Sequence, residues 1–127
     1  MAAAGFNILI SNPDDHLRNR SFLYEGQAGW RLSPAYDLNP VPPDIKAHIL
    51  STAMNEDDNT ASLALAKAVA GYFELDAGQA RDIAKQVGKA VSNWRDEAAR
   101  RGLTTNEIDS MASAFEHEDL RAALAAQ

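Results

Sequence analysis

Asn12-Pro13-Asp14-Asp15-His16-Leu17-Arg18-Asn19, read together with Trp30-Arg31-Leu32-Ser33-Pro34-Ala35-Tyr36-Asp37, decides how this chain folds. The first stretch is the densest polar cluster in the sequence. Taken alone it is also a proline-bounded turn, in which Asn and Asp side chains cap backbone donors. Just ahead of it, Phe6-Asn7-Ile8-Leu9-Ile10 is a short apolar run, either a strand or the last turn of a helix, and its length alone does not decide. Pro13 ends that run, because proline disfavours the helical region for the residue before it. Between the two stretches, residues 21–24 and 30–33 are strand candidates. Glu25-Gly26-Gln27-Ala28-Gly29 joins them, with glycines for the positive φ that a hairpin loop needs. Pro34, and then Pro40, Pro42 and Pro43, close off Ala35-Tyr36-Asp37-Leu38-Asn39 as an irregular, anchored segment.

Downstream the texture changes. A polar break over residues 54–59 separates the proline-rich first part from an alanine-rich remainder with helical periodicity. Leu63, Leu65, Ala66, Val69, Ala70 and Phe73 mark a first helix. Asp76 with Gln79 forms a capping-box signature that opens a second, carried by Ala80, Ile83, Ala84, Val87, Val91, Trp94 and Ala98 and stopped by Gly102. Thr104 with Glu107 repeats the signature and opens a third through Ile108, Met111 and Phe115. A short fourth covers residues 119–125. The expectation is a mainly helical α+β fold, one domain over residues 1–127, with loops and a small hairpin in 1–45 and a helical block in 62–127.

Bulk properties bound the function. The 127 residues suit one domain with its own core, and 46% apolar content is that of a globular protein. A formal net charge of −6 argues against a sequence-independent grip on nucleic-acid phosphates, and no helix concentrates Lys or Arg on one face. A DNA-binding regulator is therefore the weakest reading. With no cysteine there is neither a disulfide framework nor a thiolate zinc site, which fits a reducing compartment. The N-terminal residues lack a signal-peptide pattern and no stretch approaches ~20 apolar residues, so a soluble, cytoplasmic protein is expected.

The spacing Asp-x-His-x-x-Asn, followed by Tyr36-Asp37 just beyond a hairpin, suits phosphoryl transfer from ATP. One carboxylate accepts or orients the proton of a substrate hydroxyl. An amide oxygen five residues on can turn back to hold magnesium, and a second carboxylate from a separate loop completes the oxygen shell. Protein kinases use the same Asp-to-Asn spacing in their catalytic loop. Asn12-x-Asp14-Asp15-His16-x-x-Asn19, with Ser21-Phe22-Leu23 and then Trp30-Arg31-Leu32-Ser33-Pro34-Ala35-Tyr36-Asp37, resembles the HipA family of bacterial serine/threonine kinases, the toxin partners of HipB-type antitoxins. The match is specific over residues 5–45 and permissive over the helical remainder.

The resemblance implies a C-terminal lobe of a protein-kinase-like fold. It makes Asp14 the catalytic acid or base, Asn19 and Asp37 the Mg2+ ligands, and His16 a support of the catalytic loop through a structural hydrogen bond. Asp15 points elsewhere, Arg18 either meets a phosphate or is simply solvated, and Tyr36 packs its ring under the metal loop. ATP is the implied cofactor beside Mg2+, yet no Gly-rich phosphate loop and no ATP-reaching lysine occur, and the sequence opens about six residues before the catalytic loop. The expectation is a kinase portion that is inactive alone. The alternative is a non-catalytic interaction module that binds a HipB-like antitoxin or another copy of itself. Other features read as bland. Asn55-x-Asp57-x-Asn59 begins like a calcium loop but has Thr60 where Gly is required. His48 and His117 are isolated in sequence, Trp94 belongs to a packed helix face, and its basic flank of Arg95, Arg100 and Arg101 is solvated and balanced by Asp96 and Glu97.

Overall fold

A computed structural model describes residues 1–55 and 58–125. The run ahead of Pro13 is a helix, α1 (Ala2–Leu9). It leads through a 3-10 turn (Leu17–Asn19) into an antiparallel hairpin of β1 (Phe22–Tyr24) and β2 (Trp30–Leu32). The register pairs Phe22 with Leu32, Leu23 with Arg31 and Tyr24 with Trp30. Gly26 (φ 65) and Gly29 (φ 86) supply the left-handed turns of the connecting loop. After the irregular segment come α2 (Leu63–Ala68), a 3-10 turn (Ala70–Phe73), α3 (Ala77–Ser92), α4 (Trp94–Arg100), α5 (Thr105–Ser110), α6 (Ala112–Phe115) and α7 (Glu118–Ala125).

Both predicted capping boxes form: Asp76 with Gln79 opens α3, and Thr104 with Glu107 opens α5. Gly102 (φ 88) stops α4 as expected. The long second helix, however, is broken at Asn93. Ser92 Oγ and Asn93 Nδ2 both donate to the Lys89 carbonyl, at 2.9 and 3.2 Å, and this competition bends the ladder into α3 and α4. The third helix likewise divides at Met111, where Ser110 Oγ takes the Glu107 carbonyl at 2.7 Å.

The core lies where α1, α2, α3 and α7 meet. Ile8 and Leu9 of α1 pack with Leu50, Leu63, Ala66, Ala84, Val91, Leu120 and Ala123. Each large aliphatic side chain buried there contributes about 1.5–3 kcal/mol. Small residues let α3 and α7 approach closely, and a Cβ at Gly88 would stand 2.9 Å from that of Ala123. Asp119 of α7 accepts the Leu63 N–H at 2.8 Å, tying the last helix to the start of α2.

The C-terminal end of α1 is thus inside the molecule, where unpaired carbonyls would be costly. Its termination satisfies them. Ser11 takes the left-handed conformation (φ 52). Its N–H donates to Ile8 O at 3.1 Å, and the Asn12 N–H donates to Asn7 O at 2.8 Å, which together form a Schellman stop. Two distant histidines complete the end: His48 Nε2 donates to Ile8 O and His117 Nε2 to Leu9 O, each at 3.2 Å. Far apart in sequence, they sit with ring centroids 5.4 Å apart and are not isolated from each other in space.

Around Trp94 the sequence reading is partly corrected. Trp94 stacks on Phe115 at 4.3 Å, as a packed face should. The flank is exposed as expected, but Arg95 is balanced from farther along the chain, by Asp109 of α5 at 2.7 Å and by Glu116 just after α6, while Arg100 and Arg101 pair with Glu97. In the calcium-like stretch, Asp57 lies outside the described residues. Its neighbours serve turns: Asp58 accepts the Thr60 N–H at 2.8 Å, and Asn59 Nδ2 donates to Leu50 O at 3.2 Å.

Candidate functional site

The loop leaving α1 is held from behind. Ser51 donates to the Pro13 carbonyl twice, from N–H at 2.9 Å and from Oγ at 3.0 Å, and the Val41 N–H donates to Ser11 O at 3.1 Å. With Pro13 pinned, Asp14 emerges exposed. Its N–H donates to Asn12 Oδ1 at 3.2 Å, and its carbonyl accepts Asn19 Nδ2 at 3.1 Å. The main chain of Asp14 is therefore gripped on both sides, while its carboxylate is exposed with His16 Nε2 nearby. Because Asn19 spends its Nδ2 on that bond, its Oδ1 is the atom left for an electrophile.

Tyr36 brings the second loop in. Its hydroxyl donates to the Arg18 carbonyl at 2.8 Å and takes a bond from Ser21 Oγ at 2.7 Å. The segment after β2 is strapped in this way to the loop that carries Asn19. Asp37 follows in the left-handed region (φ 56), rarely occupied by a residue with a side chain. Asn39 Nδ2 donates to Asp37 Oδ1 at 2.6 Å, which orients the carboxylate.

The result is one cavity of about 90 Å³ whose wall includes Asp14, Asn19 and Asp37, with Asn7, Asn12 and Tyr36. The three residues read from the sequence as the chemistry-bearing set thus share one pocket. His16 is less tightly engaged than expected. Its Nε2 lies 3.7 Å from Asp14 Oδ1, too far for a hydrogen bond, and its buried Nδ1 has no partner among the described residues. The His16 backbone does the bracing, its N–H donating to Asp14 O and its carbonyl accepting the Asn19 N–H. Asp15, expected to point elsewhere, is buried and paired with Arg20 at 2.6 Å, yet both residues stand in the wall of this same cavity. Such a pair costs desolvation and its removal from one side would leave a stranded charge.

The wall carries oxygens that a cation could use, on Asp14, Asp15, Asn19 and Asp37, and it also carries the guanidinium of Arg20. Among the described residues no three His, Asp or Glu side chains converge into a cage. Nothing in the cavity wall resembles a phosphate-cradling glycine loop.

Sequence reasoning missed three contributors: the buried amide of Asn7, the Asp15–Arg20 pair and the two histidines at the end of α1. For Asn7 a signal existed, since an amide inside the apolar run Phe6–Ile10 needs a partner. The histidines gave none, because only the tertiary fold brings residues 48 and 117 together.

The family model described as the HipA-like C-terminal domain matches residues 1–94. The chain belongs to that family. No curated protein matches it, and no solved structure does. No helix among the described residues is long and apolar enough to cross a membrane.

The hairpin differs from the rest of the surface. Phe22, Tyr24 and Trp30 are 63%, 65% and 69% exposed, and Leu32, paired with Phe22, is exposed as well. Tyr24 and Trp30 touch each other across the strands, with ring centroids 5.0 Å apart, and pack against no core.

Proposed function

We propose that this chain carries the proton-handling and Mg2+-binding part of a HipA-like serine/threonine protein kinase. In this reading Asp14 accepts or orients the proton of the substrate hydroxyl, and Asn19 Oδ1 and Asp37 hold Mg2+. The ion would neutralise charge on the transferring phosphoryl group. His16 supports the loop from beside Asp14. The observation that carries the reading is the single cavity lined by Asp14, Asn19 and Asp37, with the Asn19 amide turned so that its oxygen is free. ATP phosphates need a glycine loop and a lysine, and this sequence offers neither, so the chain alone turns over no ATP.

Manganese serves as the paramagnetic probe of the site. Mn2+ titration followed by electron paramagnetic resonance is expected to give weak saturable binding to the 127-residue chain, lost in Asp37→Ala. Saturation unchanged in that variant removes the metal reading. Autophosphorylation by the purified chain, abolished by Asp14→Asn, overturns the claim of inactivity.

The exposed hairpin favours a second reading, a non-catalytic module that binds a HipB-like antitoxin or another copy of the chain. An apolar surface of this kind commonly marks a contact site. Light scattering that finds a monomer at high concentration, together with no affinity for a HipB-like protein, counts against it.

A further inference from the structure

Asn7 is a buried amide in an otherwise apolar run of α1. It lies within α1 between Phe6 and Ile8, is 3% exposed, and is a poorer helix former than the aliphatic residues around it. A buried amide is tolerated when it is hydrogen-bonded and costly when it is not. Asn7 is bonded to one residue twice: its carbonyl accepts the Asn12 N–H at 2.8 Å, and its Oδ1 accepts Asn12 Nδ2 at 3.0 Å. The main-chain bond alone would close the helix. The side-chain bond does something else, since it fixes which way the Asn12 amide faces. With Nδ2 committed to Asn7, Asn12 presents Oδ1 to the Asp14 N–H at 3.2 Å. Asp14 in turn accepts Asn19 Nδ2 on its carbonyl at 3.1 Å, which leaves the Asn19 oxygen outside that bond, and all four residues line the cavity.

We propose that Asn7 is a positioning residue for the cation site. Through Asn12 it sets the main chain of Asp14, and through Asp14 it sets the face that Asn19 offers to a divalent cation. The relay runs from inside the core to the site, so loop geometry is inherited from the most rigid part of the molecule. The inference rests on the reading of Asn19 as a metal ligand. A purely structural role for the buried pair predicts otherwise: removing both amides together leaves neither facing an unmet partner and frees only the N–H of the exposed Asp14, so stability and site would both survive.

The test uses the whole 127-residue chain with Asn7→Leu and the double variant Asn7→Leu/Asn12→Leu, read by Mn2+ titration and by amide hydrogen exchange. The double variant is expected to melt close to the unsubstituted chain and to keep the exchange rates of Ala84 and Val91 amides. Its Mn2+ affinity should fall 10–100-fold, the usual effect of losing a residue that orients a ligand. The Asp14 amide should exchange about tenfold faster or more in both variants, having lost a fixed acceptor. Unchanged Asp14 exchange, or full Mn2+ affinity in a double variant that remains folded, overturns the proposal. If the unsubstituted chain binds no Mn2+, the ligand reading fails on that result alone. Asp14 exchange still decides whether Asn7 holds the loop, accelerated rates supporting it and unchanged rates refuting it.

Discussion

Replacing Ser11 by glycine should stabilise this protein, even though serine is fully buried and glycine is the more flexible residue. Two costs meet at Ser11. It occupies the left-handed region at φ 52, where a Cβ costs about 1–2 kcal/mol relative to glycine. Its Oγ is also buried without a partner among the described residues, and an unmet hydroxyl costs about 1–3 kcal/mol. Glycine removes both. Against this stands the extra freedom of glycine in the unfolded chain, about 0.4–1 kcal/mol. The net expectation for Ser11→Gly is a gain of about 1–4.5 kcal/mol. For a domain between the usual small and large classes, that raises Tm by about 4 °C per kcal/mol.

Ser11→Ala separates the two contributions, because it removes the hydroxyl and keeps the Cβ in the left-handed region. Its stability should lie between those of the unsubstituted chain and the glycine variant. Urea unfolding followed by circular dichroism at 222 nm measures all three, and equal slopes keep the comparison one of native states. A glycine variant less stable than the serine form, at unchanged slope, refutes the reasoning. It would mean that the Ser11 hydroxyl makes a bond worth more than the strain, or that α1 does not end in this motif. The same residue bears on function, since Ser11 is the hinge between the core helix and the loop of Asp14.

Gly88→Ala should destabilise by about 1–2 kcal/mol, because the new methyl stands 2.9 Å from the Ala123 Cβ and overpacking outweighs the ~1 kcal/mol gain in helix propensity. The double variant Gly88→Ala/Ala123→Gly should return close to the starting stability in urea melts, whereas an additive loss would mean that α3 and α7 do not meet there. His117 makes stability depend on pH: burial, and then the neighbouring His48, hold its pKa below the ordinary value, while Asp119 and the Leu9 and Ala114 carbonyls pull it up. Since the folded value is the lower one, the stabilisation is present above about pH 6.5 and is lost as pH falls through the folded pKa. Thermal melts between pH 8 and 5 should show that loss, flattened in His117→Gln, and an identical pH profile in the variant would remove His117 as its source.

How much of this molecule could be read from its sequence follows from where each constraint acts. The capping boxes at Asp76 and Thr104, the hairpin with its two left-handed glycines and the stop at Gly102 are local signals, decided by a few adjacent residues, and each appears at its expected place. The break at Asn93 was written locally too, in two adjacent side chains that both reach back to Lys89, but a smooth apolar period running through Val91 and Trp94 hides it. Asp14, Asn19 and Asp37 could be grouped from the sequence by residue type and spacing, and they do line one cavity. What holds them there was not legible, since Tyr36 to Arg18, Ser51 to Pro13 and His117 to Leu9 are contacts between distant segments. The Asn7 relay lies between these cases: its far end is three residues, Asn12, Asp14 and Asn19, of the loop and its 3-10 turn, and its near end is one amide out of place in an apolar helix. A polar residue inside a core-facing run must be paid for by a partner, and that partner led to the site.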